Sequence, residues 1–101
     1  MYVIGCYHND ECIYIGLFMN LYRCEKVLTR VPSSKSQIGK FVLAGNKVEV
    51  RSLGYHYEIE AARQHARKLK DELQPRLNVY GTRRERAQRI TKAQEFIAGS
   101  Y

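Results

Sequence analysis

This chain of 101 residues contains no tryptophan, only two prolines and only three cysteines. The odd number and irregular spacing of the cysteines argue against a disulfide framework and favour a reducing compartment. No apolar run approaches the roughly 20 residues of a membrane span. The first residues also alternate polar and apolar side chains too early for a signal peptide. We therefore expect a cytoplasmic protein with no membrane partner.

With 45% hydrophobic residues, a chain of this length can bury one core but not two. We expect Cys6, Cys12 and Cys24 to be small buried hydrophobic residues of that core. An alternative interpretation is that the three cysteines and His8 together bind a zinc ion. The chain has no C-x-x-C pair, which zinc sites usually contain, and we therefore assign no metal ligands.

Basic residues outnumber acidic ones most strongly in the last part of the chain. From residue 63 onward, ten Lys or Arg stand against four Asp or Glu, so this part carries +6 of the total charge of +7. Such an excess is typical of proteins that bind phosphates, because each cationic contact releases condensed counterions. The alternative is a solvated helix surface. We expect nucleic acid as the partner, DNA before RNA, or a protein that processes nucleic acid.

Two short runs rich in Val, Ile and Tyr, at residues 2–6 and 12–17, predict a β-hairpin. Residues 8–11 between them lack an Asn-Gly or Asp-Gly pair, which predicts a loop longer than two residues. Alternation of apolar and polar residues predicts a third strand at 47–57. These three strands together predict a three-stranded antiparallel sheet.

Apolar residues at three- and four-residue spacing predict the helices. We expect a helix at 21–29 capped by Asn20, a loop at 32–36, and a helical turn at 38–44. A helix at 58–73 presents Ile59, Ala62, Ala66, Leu69 and Leu73 on one face and ends before Pro75. A last helix at 82–98, with Thr82 and Glu85 at capping-box spacing, precedes a frayed end at 99–101.

The predicted class is α+β: a small antiparallel sheet flanked by helices forms a domain at 1–81. The basic C-terminal helix at 82–101 is appended to it, and either packs on the domain or lies along a partner.

This order of elements resembles a GIY-YIG nuclease domain over residues 2–80. The resemblance rests on four short pieces in sequence: Tyr14-Ile15-Gly16, Asn20-Leu21, Glu60-Ala61 and Pro75-Arg76-Leu77-Asn78. It implies a site in which two Tyr, an Arg, a Glu and an Asn surround the scissile phosphate. The Glu would hold one divalent metal, so that positioning and charge neutralisation carry the hydrolysis.

Only two of these five positions are matched directly, by Tyr14 and Asn78. The first Tyr position falls on Ile4; Tyr7 is nearby, and Tyr2 substitutes only if the strand register shifts by two. The Arg position falls on Cys24, and Arg23 is about a quarter-turn away on the helix.

The Glu position falls on Ala66, or on His65 if one residue is inserted. His65 is a poor magnesium ligand, because hard cations prefer oxygen. Glu58 and Glu60 lie one to two turns too early, where acidic residues favour a helix N-terminus. We therefore expect a degenerate active site without metal-dependent cleavage, and no cofactor.

The leading hypothesis is a nucleic-acid-binding protein that does not cut. Its predicted contacts are Arg23, Lys26, Arg63, Arg67, Lys70, Arg76, Arg83 and Arg84, with Tyr14 or Tyr55 stacking on bases. One alternative is a divergent endonuclease that uses Mg²⁺ or Mn²⁺ with Tyr2 or Tyr7, Tyr14, Arg23, His65 and Asn78. Another is a small protein-binding inhibitor in which the basic half docks on an acidic protein.

Overall fold

The computed structural model describes residues 1–99, so the predicted frayed end lies outside the described residues except for Gly99. The elements are β1 (Tyr2–His8), β2 (Glu11–Phe18), α1 (Leu21–Glu25), a π-helical turn (Lys26–Arg30), α2 (Gln37–Leu43), β3 (Glu49–Tyr55), α3 (Ile59–Leu73) and α4 (Arg83–Ala98). The α+β class is therefore confirmed. Among residues 1–99, no helix combines the length and the apolar content that crossing a membrane requires.

The three strands form one antiparallel sheet in the order β2-β1-β3, with β1 in the centre. At one end of the sheet, Tyr2 is opposite Phe18 on one side and Tyr55 on the other. The predicted hairpin and the third strand are thus confirmed, although β3 is shorter than the alternation at 47–57 predicts. Because β1 is covered on both sides, only β2 and β3 present outer edges.

The predicted longer loop between β1 and β2 is wrong. Asn9 and Asp10 alone make the connection, and both are left-handed, with φ of 51° and 63°. Asn and Asp tolerate this conformation because their short polar side chains can hydrogen-bond locally. A two-residue turn with both φ values positive matches the twist of the strands, so an Asn-Asp pair serves where Asn-Gly is more common.

A β-bulge in β2 changes which side chains share a face of the sheet. Cys6 is opposite Tyr14 while Tyr7 is opposite Cys12, so Ile13 is one extra residue in β2. Ile13 and Tyr14 consequently both pack on the same side of the sheet, in the first of two core clusters.

The two faces of the sheet carry separate core clusters. The first is covered by α1, α2 and α4 and contains Ile4, Cys6, Ile13, Cys24, Leu28, Ile38, Phe41, Leu77, Ala93 and Ile97. The second is covered by α3 and contains Val3, Cys12, Ile15, Ala62 and Ala66. The predicted stripe on α3 is right in its middle but wrong at its ends, because Ile59 and Leu73, the first and last residues of the helix, are exposed.

Helix α4 contributes to the first cluster. Ala93 and Ile97 are buried, and the ring of Phe96 stacks on that of Phe41 with centroids 5.2 Å apart. The predicted cap is present: Thr82 Oγ1 accepts from the backbone N–H of Glu85 and donates to its carboxylate. Helix α4 therefore packs on the core of residues 1–81, which is one of the two arrangements expected for it.

All three cysteines are free and buried, as predicted. Cys6 and Cys24 lie in the first cluster and Cys12 in the second, so they do not converge with His8 as the zinc alternative requires. The Nδ1 of His8 is 2.8 Å from the Lys47 carbonyl oxygen instead. Burial raises the pKa of Cys6 to about 12 and that of Cys24 to about 11.

We expect the free energy of unfolding to fall as the pH rises from about 9 toward about 12. The ordinary thiol pKa of 9.0 applies to the unfolded chain, whereas Cys6 and Cys24 stay protonated in the fold at higher pH. Their contribution is therefore complete below pH 9 and is lost above it. Urea unfolding at pH 7, 9 and 10.5 measures the loss, which Cys6→Ala should reduce. Equal stability at all three values would contradict the burial of these thiols.

Candidate nucleic-acid interface

Residues 75–78 close the outer edge of β2. The backbone N–H of Leu77 donates to the Ile13 carbonyl at 2.8 Å. The side chain of Asn78 then binds both backbone groups of Ile15: Oδ1 accepts from its N–H at 2.7 Å, and Nδ2 donates to its carbonyl at 2.8 Å. Asn78 thus takes the place of a neighbouring strand residue, and its 6% exposure shields these bonds from water.

A cleft of about 560 Å³ opens where this segment, β2 and α3 meet. It is lined by Tyr14, Ile15, Gly16, Leu17, Lys35, Ser36, Gln37, Ala66, Lys70, Leu77, Asn78, Val79 and Ile90. The fold therefore brings Tyr14 and Asn78, 64 positions apart in the chain, to one site together with Ala66. Among the described residues that line the cleft, two are cationic and none is acidic.

Tyr14 lies across Gly16 in the floor of the cleft. A Cβ on Gly16 would come within 2.9 Å of the Tyr14 ring and 3.1 Å of the Phe18 ring, so glycine leaves the space that both rings use. Burial raises the pKa of Tyr14, and the Cys6 and Cys24 thiols add to the effect. The hydroxyl therefore remains protonated at neutral pH and can donate a hydrogen bond to an anion.

Lys35 reaches the cleft through the loop that precedes α2. Ser36 caps α2 by accepting from the Gly39 N–H at 3.0 Å, and a Cβ at Gly39 would overlap the Ser33 carbonyl. The loop can therefore lie against the helix only because position 39 has no side chain. Lys35 then lines the cleft together with residues of β2, which the sequence pattern does not indicate.

A second cavity of about 520 Å³ adjoins the cleft and shares Leu17, Ala66 and Lys70 with it. Arg63, Arg67 and Lys70 line it from successive turns of α3, and we call these three residues the basic face. Burial and the neighbouring Arg67 lower the pKa of Lys70. A bound anion would offset both effects, because it favours the charged ammonium.

Tyr80 connects the basic face to the cations of α4. Its hydroxyl donates to the Lys70 carbonyl at 3.1 Å, and the Arg89 guanidinium lies 3.8 Å from its ring centroid. Beyond it, Arg76, Arg89 and Lys92 line a third cavity of about 490 Å³ with Gln74, Glu95 and Phe96. Arg76 is paired with Glu11 at 2.9 Å, and within the basic face Arg63 lies 3.9 Å from the Glu60 carboxylate. Among the described residues, Arg67 and Lys70 are therefore the members of the basic face without an ion pair.

Several predicted contact residues lie outside these cavities. Arg23 and Lys26 are exposed on α1 and the π-helical turn, and Arg83 and Arg84 are exposed at the start of α4. The predicted nucleic-acid contacts are therefore divided: Arg63, Arg67 and Lys70 come together, Arg76 lies in the third cavity, and the other four are dispersed.

The catalytic residues of the alternative hypothesis are also divided. Tyr2 is on the same sheet face as Tyr14, but its ring packs on Tyr55 with centroids 4.8 Å apart. His65 does not line the cleft, and its ring contacts Gly54 and His56 instead. Arg23 does not line the cleft, so Tyr14 and Asn78 are the two of these residues that meet there.

Lys35, Tyr80, Arg89 and Lys92 line these cavities although sequence reasoning did not select them. Comparison with protein-family models, curated proteins and solved structures found no match for this chain. The residues of the cleft and the basic face therefore provide the basis for a functional proposal.

We expect Asn78→Ala to lower the free energy of unfolding by about 2–4 kcal/mol, since it leaves the Ile15 N–H and carbonyl without partners in a buried place. Urea unfolding and amide hydrogen exchange at Ile15 measure the effect. Asn78→Asp is the matched control for geometry: it keeps the acceptor, loses the donor, and should also destabilise. A loss below about 1 kcal/mol with unchanged exchange would show that Asn78 does not hold β2.

Proposed function

We propose that this protein binds nucleic acid through the cleft and the basic face, and that it is a GIY-YIG-type domain that no longer cleaves. The observation that carries the proposal is the lining of the cleft. Tyr14 and Asn78 meet there with two lysines, while α3 presents the methyl group of Ala66 where the family's metal-binding Glu would stand. Free buried thiols suit a cytoplasmic setting.

Phosphate binding is favoured by the spacing of the basic face. Residues four apart on a helix are about 6 Å apart along its axis and share one side, so Arg63 and Arg67 can each contact a different phosphate. Lys70 continues the row into the cleft, which Lys35 also lines. Four such contacts predict a slope of log affinity against log salt of about −3 to −4.

Loss of cleavage is favoured by three positions together. Ile4 and Cys24, which stand where the family carries Tyr and Arg, are fully buried in the first core cluster. Ala66 cannot bind a cation, and Mg²⁺ requires oxygen ligands. Asp71 and Glu85 line the adjoining cavity, but neither lines the cleft that contains Tyr14 and Asn78.

We expect Lys70→Ala and Arg67→Ala each to weaken DNA binding about five- to tenfold, because each removes one charge-assisted contact. Fluorescence anisotropy with a labelled duplex and a labelled single strand, at 50 and 200 mM salt, measures the change. Lys68→Ala is the matched control: it removes the same charge from an exposed position on the same helix, outside the lining of the cavities. It should cost less than about twofold.

Two results would contradict this surface. One is an affinity that does not change with salt, and the other is a Lys68→Ala effect equal to that of Lys70→Ala. Tighter binding of an RNA strand of the same sequence would support the same binding surface but would identify RNA, not DNA, as the partner. Incubation of the wild-type protein with supercoiled DNA and Mg²⁺ or Mn²⁺ should leave the DNA unnicked, and nicking would support the endonuclease alternative.

We expect Ala66→Glu to weaken DNA binding severalfold in EDTA and to regain part of that affinity in Mg²⁺. The new carboxylate would stand beside Lys70 and repel phosphate, whereas a bound cation would neutralise it. Ala66→Gln has nearly the same shape without the charge, so it controls for steric effects and should show no Mg²⁺ response. Because Ala66 is only 3% exposed, circular dichroism must first show that both variants are folded. Identical DNA binding by two folded variants would show that residue 66 does not face the bound strand.

A further inference from the structure

Two imidazoles meet on a part of the protein that the proposed function does not use. His56 follows β3 and His65 lies on α3, and their Nε2 and Nδ1 atoms are 2.9 Å apart. The rings are nearly perpendicular, at 78°. Within residues 1–99, neither ring makes another hydrogen bond, so the two nitrogens have only each other as partners.

Both imidazoles are held in place by their surroundings. The backbone N–H of His56 donates to the Met1 carbonyl at 3.0 Å, which ties His56 to the start of the central strand. The ring of His65 lies against Gly54 of β3, which has no side chain: a Cβ there would be 2.9 Å from the Cε1 atom of His65. Both residues are partly exposed, so one side of the pair is open to water.

We propose that His56 and His65 form a binding site for a divalent transition-metal ion. Imidazole nitrogens bind such ions at roughly 2.0–2.1 Å. Two nitrogens 2.9 Å apart at that distance subtend an angle of about 90° at the ion, so each lone pair must turn by up to about 45° from the N···N line as the hydrogen bond is exchanged for two metal bonds. A right angle suits the octahedral or tetragonal coordination of Ni²⁺ and Cu²⁺, whereas tetrahedral Zn²⁺ needs roughly 3.4 Å between nitrogens.

The ion that a pair of imidazoles binds differs from the Mg²⁺ that a nuclease uses. Imidazole prefers transition metals, and Mg²⁺ prefers oxygen. Within residues 1–99 no third His, Cys, Asp or Glu completes the group, so water would fill the remaining positions. Because consecutive helix residues are about 100° apart, the ion bound by His65 lies on a different side of α3 from Ala66 and the cleft. The proposal is therefore independent of nucleic-acid binding.

Titration of the untagged full chain with NiCl₂ in a calorimeter tests the site. We expect one ion per chain with micromolar affinity, and at least a tenfold loss in His56→Ala and in His65→Ala. The matched control is His8→Ala, which removes the third histidine of the chain and should change nothing. MgCl₂ should give no heat of binding. Equal Ni²⁺ binding by His56→Ala and the wild type would overturn the proposal.

A second measurement does not depend on how well the variants fold. In the wild-type protein, paramagnetic Ni²⁺ should broaden the amide NMR signals of residues 54–56 and 64–66 before all others. The bound ion should also raise the melting temperature, because it links β3 to α3 in the folded state alone. First broadening around His8, or none at millimolar Ni²⁺, would show that the two imidazoles form a hydrogen bond and nothing more.

Discussion

The pair of hydrogen bonds between the Asn78 side chain and the Ile15 backbone is the constraint on which the site depends. It joins residues 63 positions apart and satisfies the backbone N–H and carbonyl of Ile15, which lies in an edge strand. An open edge would otherwise expose a row of unpaired groups to other chains. Because residues 75–78 must lie along β2, the end of α3 is held above the same strand. The walls of the cleft are a consequence of that closure.

The same closure determines which charges act together. Arg63, Arg67 and Lys70 share one side of α3 for helical reasons alone, but the docking of α3 over β2 brings Lys70 to a cleft that Lys35 also lines. Tyr80 then extends the surface to Arg89 on α4. Charges spread over distant parts of the chain become one surface, whereas Arg23, Lys26, Arg83 and Arg84 stay apart from it.

Under the proposed function, the altered catalytic positions also serve the core. Ile4 and Cys24 pack in the first cluster, where a buried Arg without a partner would be costly. Ala66 fills the contact between α3 and β2 while it leaves the cleft open. Loss of the reactive groups is therefore compatible with a well-packed domain that keeps its binding surface.

Local patterns in the sequence were enough to predict the three strands, the middle of the stripe on α3, and the caps by Asn20 and Thr82. Such features depend on residues a few positions apart, whose spacing encodes the period of a strand or helix. The two-residue turn was missed because Asn9 and Asp10 adopt a conformation more often given to glycine. The stripe on α3 was predicted too long, because the residues at both ends of the helix are exposed although they fit the apolar spacing.

The sequence by itself determined the strands, the helices and the excess of positive charge. Only the tertiary structure decided that Asn78 binds Ile15, that His65 faces His56 rather than Tyr14, and that Ala93 and Ile97 of α4 complete the main core. Each of these contacts joins residues that are far apart in the chain and are not related by the repeat of a helix or a strand. They are selected by packing and by the need to pair buried polar groups, which local spacing does not record.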